Sequence, residues 1–149
     1  MSSRRHFLKT ISAAAMGAVT GPILVACGAG PRQARATGSF SGGNVNNLSL
    51  GQPMDLGEPV VVVLDANGLY AMSTICTHAG CDMQMDGSIT SNGLRCFCHG
   101  SRFSINGQVQ SGPAFAPLEH YAVEVAANGD ITVNADMIVS PDTRTPVPG

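Results

Sequence analysis

From Glu58 onward the chain alternates short apolar runs with turn residues. Val60 to Leu64 is β-branched and apolar, "DANG" follows, and Leu69 to Ser73 returns to an apolar run. Two short runs flanking an Asn-Gly pair predict an antiparallel hairpin. The same arrangement recurs at Asn92-Gly93, Asn106-Gly107 and Asn128-Gly129. Their flanks are "SIT" and "LRCF", "RFSI" and "QVQ", and "YAVEV" and "DITV". The intervals between pairs are 25, 14 and 22 residues, which describes successive hairpins and not a fixed-period repeat. The pattern predicts an all-β domain over residues 57–136.

The flanks differ in kind. Residues 28–53 are rich in Gly, Ser, Asn and Pro, so 27–56 is expected to be a flexible tether whose second half can add an opening strand. The ending "IVSPDTRTPVPG" carries three prolines and predicts a tail over 137–149, loose or hugging the surface. At the other end, Arg4 and Arg5 precede Phe7, Leu8 and Lys9, and a mildly apolar run extends from Ile11 to Ala26. Residues 1–26 thus resemble a twin-arginine export signal. The run is 16 residues, broken by Gly17, Gly21 and Pro22, where a spanning helix needs about 20. It ends in "LVAC", which resembles a lipobox with Cys27 as the lipidated first residue of the mature chain. The competing reading is an uncleaved anchor of a membrane complex.

Composition narrows the class. A length of 149 residues suits one domain. With 18 Gly, 9 Pro, 5 Phe, 2 Tyr, no Trp and 12% charged residues, short strands and tight turns fit better than a helical bundle. The net charge of −2, with Lys9 as the only lysine, disfavours nucleic acid as a partner. Removing Arg4, Arg5 and Lys9 from the 8 bases leaves 5 against 10 acids, a charge near −5. Such a net charge predicts partners with a positive docking face. Five cysteines are an odd number for an exported chain, and lipidation of Cys27 leaves four.

Those four lie in two boxes, "CTHAGC" from Cys76 to Cys81 and "CFCHGS" from Cys96 to Ser101. Cys76-x-His78 is followed, after seventeen residues, by Cys96-x-x-His99. Two thiolates and two imidazoles can hold a tetrahedral zinc. They can equally hold a 2Fe–2S cluster, the cysteines on one iron and the histidines on the other.

The paired boxes resemble those of the Rieske iron–sulfur family, in its exported, disulfide-containing branch. The resemblance implies a small antiparallel β-sandwich with two cluster-binding loops and one 2Fe–2S cluster. It implies Cys76 and Cys96 on the inner iron, His78 and His99 on the outer iron, and a disulfide between Cys81 and Cys98. Ser101 matches a family serine that donates a hydrogen bond to a bridging sulfide and raises the potential. Phe103 stands where high-potential members carry a tyrosine, so one donor is absent and an intermediate potential is expected. Gly112-Pro113-Ala114 resembles the proline loop that shields the cluster. His120 is expected to be structural or exposed, and Met83 and Met85 to pack against the cluster loop.

No nucleophile-elbow or phosphate-loop pattern is present, and no catalytic residue is assigned. The expected function is one-electron transfer by an exported, membrane-tethered carrier on the extracytoplasmic or periplasmic side. Its partners would be a redox protein donor and acceptor, with the membrane contacted through the N-terminus. Two alternatives remain. One is the Rieske subunit of a cytochrome bc-type quinol oxidoreductase or an arsenite-oxidase-like enzyme. The other is a zinc-stapled binding domain.

Overall fold

A computed structural model describes residues 35–148. The twin-arginine pair Arg4 and Arg5, the lipobox Cys27 and the first part of the tether lie outside the described residues. Ten strands and one 3-10 turn (Val45–Asn47) make up the regular structure among the described residues. The strands are β1 (Ser39–Asn44), β2 (Pro53–Asp55), β3 (Val60–Asp65), β4 (Gly68–Ser73) and β5 (Gly87–Thr90). They continue with β6 (Gly93–Cys96), β7 (Arg102–Phe103), β8 (Val109–Ser111), β9 (His120–Val125) and β10 (Asp130–Val139). No helix among the described residues is long and apolar enough to cross a membrane.

All pairings are antiparallel and form two sheets. The larger has the order β1-β10-β9-β4-β3-β2, and the smaller has β5-β6-β7-β8. Every Asn-Gly pair lies at the junction of a hairpin: β3–β4, β5–β6, β7–β8 and β9–β10. The all-β expectation holds. The smaller sheet is encoded between β4 and β9, neighbours in the larger sheet, so the stretch holding both cysteine boxes is a single excursion from the main framework.

The unbroken valine run has a packing cause. A strand with one wet face alternates apolar and polar residues; a strand covered on both faces need not. Val61 and Val63 enter a core with Tyr70, Met72, Cys76, Met83, Cys96 and Phe103. Val60 and Val62 enter a second core with Leu69, Ala71, Tyr121, Ile131 and Val133. Both cores are therefore braced on β3 and β4, and the first of them underlies the cysteine boxes. At about 2 kcal/mol per buried valine, β3 alone contributes strongly to holding that floor in place.

Strands also occur beyond residues 57–136: β1 and β2 lie within 27–56, the tether that can add an opening strand, and β10 runs past residue 136. β1 covers the edge of β10 through Ser39↔Asn134, Phe40↔Val133 and Ser41↔Thr132. Its sequence, "SFSGGN", carries one large apolar side chain, so backbone pairing rather than an apolar stripe holds it. Of the two courses expected for the ending, this part follows the surface-hugging one: Leu69 and Thr145 exchange two backbone hydrogen bonds of 2.9 Å each.

Candidate metal centre

The two boxes adopt the same backbone loop. In the first, the Cys76 N–H donates to the Cys81 carbonyl (2.8 Å) and the Gly80 N–H to the Cys76 carbonyl (2.9 Å). In the second, the Cys96 N–H donates to the Ser101 carbonyl (2.9 Å) and the Gly100 N–H to the Cys96 carbonyl (3.1 Å). Gly80 and Gly100 close these turns at φ 80° and 86°, the left-handed region that glycine occupies without a Cβ penalty. This explains a glycine at the fourth residue after the leading cysteine in both boxes. The first loop is anchored at its base by an isolated bridge, Ile75↔Asp82, and by a buried 2.7 Å bond from Thr74 Oγ1 to Asp82 Oδ1. The second hangs between β6 and β7, with the Phe97 N–H donating to the Asp86 carbonyl at 2.8 Å.

Cys81 and Cys98 form a disulfide that ties the loops together across 17 residues, with Cα atoms 6.7 Å apart. Cys76 and Cys96 are free and buried. The Sγ atoms of Cys81, Cys96 and Cys98 all lie within 4.8 Å of one another, so the disulfide sits directly against the Cys96 sulfur. His78 and His99 meet edge to face with ring centroids 4.6 Å apart. His99 is exposed and His78 half-buried.

The donor set suits a thiophilic metal group. Burial pushes the Cys96 thiol up, and its neighbour Cys76 adds to that; the backbone N–H groups of Cys98 and His99 act in the opposite sense. Amides aimed at a sulfur favour its thiolate, the form that ligates metal. Among the described residues His78 Nδ1 is buried without a hydrogen-bond partner, an unsatisfied position that a metal would fill; His120 Nε2, away from the boxes, is likewise unpartnered. Two buried thiols, two adjacent imidazoles and one orphaned ring nitrogen fit the cluster's mixed sulfur and nitrogen ligation.

Residues 112–117 are stitched to both boxes. Thr77 Oγ1 donates to the Ala116 carbonyl at 2.7 Å. The Ala114 N–H donates to Ser101 Oγ at 2.9 Å. Ser101 is fully buried, and with its oxygen already accepting, its hydroxyl proton is free to donate elsewhere. Phe103 is buried in the core, opposite Leu94 on β6. Of the two methionines, Met83 packs in that core as expected, but Met85 is 78% exposed; the chain turns between them and the side chains part. His120 is buried, stacked on Tyr70 at 5.7 Å, with Nδ1 3.2 Å from the Leu118 carbonyl. Thr77 and the Thr74–Asp82 pair escaped the sequence reading. A hydroxyl enclosed between Cys76 and His78 was the available hint for the former.

A family model described as the Rieske [2Fe-2S] domain matches residues 41–122. The chain belongs to this family. Its 2Fe–2S cluster follows from that membership, and the two boxes lie within the matched span. Among curated proteins, this Rieske chain is 33% identical over 101 residues to the cytochrome b6-f complex iron-sulfur subunit of Chlorobaculum tepidum, covering 60% of the chain and 54% of that relative. It is 32% identical over 105 residues to the corresponding subunit of Synechococcus elongatus, covering 68% of the chain and 53% of that relative. The chain therefore spans about half the length of these relatives. Among solved structures, the cyanobacterial plasma membrane Rieske protein PetC3 from Synechocystis shows 30% identity and a TM-score of 0.51, over 64% of this chain and 99% of that one.

Proposed function

We propose that this Rieske domain is a one-electron carrier, exported and held at the extracytoplasmic face of a membrane. When bound, the 2Fe–2S cluster supplies reversible uptake of a single electron at a potential set by its surroundings. The assignment of ligands is Cys76, Cys96, His78 and His99. The observations that support it are two buried free thiols lying side by side, two imidazoles meeting edge to face, and one disulfide joining the loops that carry them. The protein's contribution is to hold these side chains in place and exclude water. Thr77 and Ser101 fasten the proline loop over the site, and the Cys81–Cys98 bond keeps the two ligand loops from separating. The exposed His99 offers a surface path for an electron to or from a redox protein.

Residues 1–26 are assigned as the twin-arginine leader, with Cys27 as the lipidated residue and the segment up to β1 as tether. An oxidising compartment agrees with the disulfide. A second reading, the Rieske subunit of a quinol-oxidising complex, is favoured by the resemblance to cytochrome b6-f subunits. The test is isolation from native membranes. A carrier is expected to come away coloured, with a paramagnetic signal on reduction, a diacylated Cys27 peptide by mass spectrometry and no stoichiometric partner. Co-purifying cytochrome subunits would favour the complex, and a colourless zinc-loaded protein would remove both. Cys76→Ala or His99→Ala is expected to abolish the native visible spectrum.

A further inference from the structure

Among the described residues four arginines are present, and two are neutralised: Arg35 pairs with Glu119 at 2.9 Å and Arg144 with Asp65 at 2.7 Å. Arg95 and Arg102 have no carboxylate partner and are exposed. They are cross-strand neighbours, Arg95 on β6 directly opposite Arg102 on β7. Like charges placed opposite each other destabilise a sheet, so this pairing works against the fold. The two residues also bracket the second box: the loop of Phe97, Cys98, His99 and Gly100, exposed throughout, leaves the sheet after Cys96 and returns at Ser101. The Arg95 guanidinium lies 5.6 Å from the ring centroid of Phe97, which is 59% exposed. On the proline loop, which is hydrogen-bonded to both boxes, Phe115 is 81% exposed.

We infer that Arg95 and Arg102, with Phe97 as an apolar lip, form a docking face for a redox protein that presents carboxylates beside its own electron-transfer group. This deepens the electron-carrier reading and rests on it. The net charge of −2 points toward basic partners, but the charge at the edge of the box loop has the opposite sign. Association is steered by the local field where the partner lands, more than by the total. Two adjacent guanidinium forks match carboxylates bidentately, and Arg stacked on an aromatic is held ready for such a contact. Asp86, whose carbonyl accepts from the Phe97 N–H, is the acid adjoining this loop and makes no ion pair with either arginine.

The test compares the full chain with an Arg95→Gln/Arg102→Gln variant, using three probes. Poly-glutamate at low ionic strength is expected to bind the native protein at least about tenfold more tightly than the variant, a readout independent of redox activity. Ferricyanide takes one electron from the dithionite-reduced protein and becomes ferrocyanide. Its rate is expected to fall with added salt for the native protein, and to lose that slope or reverse it in the variant. Equal poly-glutamate binding by both proteins, or a ferricyanide rate that rises with salt in the native one, overturns the inference. Anionic phosphatidylglycerol vesicles form the third probe. If they bind through the arginines while poly-glutamate does not, the face belongs to lipid and the inference fails. A preparation without visible colour would count against the electron-carrier reading alone, because the peptide arm still decides the docking face.

Discussion

At the scale of single residues, we propose that Ser101 and Phe103 tune the cluster's potential. Ser101 Oγ accepts from the Ala114 N–H, so its own proton is the free one, held inside a buried site. Hydrogen bonds to charged groups are worth about 1.5–3 kcal/mol, which at 59 mV per factor of ten is roughly 60–130 mV for a one-electron couple. Ser101→Ala is expected to lower the midpoint by about that much, and Phe103→Tyr to raise it, both read by redox titration. No shift in either variant would remove the hydrogen-bond account. His120 makes a different prediction. Burial, reinforced by Arg144, holds its imidazole below the ordinary value of 6.5. The folded state thus binds this proton more weakly than the unfolded chain does, so stability falls as pH drops below about 6.5 toward the folded value. Urea midpoints should decline between pH 7.5 and 5.5, and His120→Asn should flatten that decline. The sequence could not place this residue, because a histidine at a strand start reads the same whether the strand face is wet or dry.

At the scale of elements, the two box loops are superposable in their bonding, and that likeness was partly legible. The cysteines, histidines and four Asn-Gly junctions carry chemistry and turn geometry in their own identities, so the two box loops and the hairpins could be read directly. An opening strand could be expected but not placed, because "SFSGGN" has neither an apolar stripe nor β-branched enrichment and is held by the edge of β10. Met85 was misplaced for a related reason: alternation predicts a face only while the strand continues, and here the chain turns at Asp82, whose carboxylate accepts from the Gln84 N–H. The loop geometry itself yields a prediction. A Cβ at Gly100 would meet nothing within 4 Å, so Gly100→Ala isolates the cost of its φ of 86°. An alanine forced into the left-handed region costs roughly 1–2 kcal/mol. Chemical denaturation should show that loss. Cluster release on mild heating should accelerate with it, since the Gly100 N–H closes the turn around Cys96.

At the scale of the whole molecule, the C-terminal segment acts as a clasp between the framework and the excursion that carries the metal site. Arg144 donates from Nε to Asp65 Oδ2 and from a terminal nitrogen to Asn106 Oδ1, both at 2.7 Å. Its guanidinium lies 3.9 Å from the ring centroid of Tyr70. Asp65 closes the β3–β4 hairpin, whereas Asn106 belongs to the turn between β7 and β8. One side chain therefore joins the larger sheet to the smaller. Tyr70 reinforces the junction by donating to the Ile105 carbonyl at 2.9 Å, and burial pushes its phenol up to about 12, so it remains a donor across the physiological range. Burial alone would raise the Asp65 carboxyl, but Arg144 and the Asn67 and Gly68 amides outweigh it and leave it below the usual 3.8. Its stabilising share is thus present above that value and fades only in stronger acid, a window separate from that of His120. Partial exposure of the pair limits what the clasp contributes, and Arg144→Gln is expected to cost about 2 kcal/mol. Hydrogen exchange distinguishes a clasp from a general loss of stability. The Leu69 and Thr145 amides, which bond each other's carbonyls, should exchange faster in the variant, while the amide of Val133 in the second core should change much less. Uniform acceleration across all three would mean that Arg144 supports the whole fold rather than this junction. Unchanged exchange at Thr145 would mean that the backbone pairing holds the segment without it.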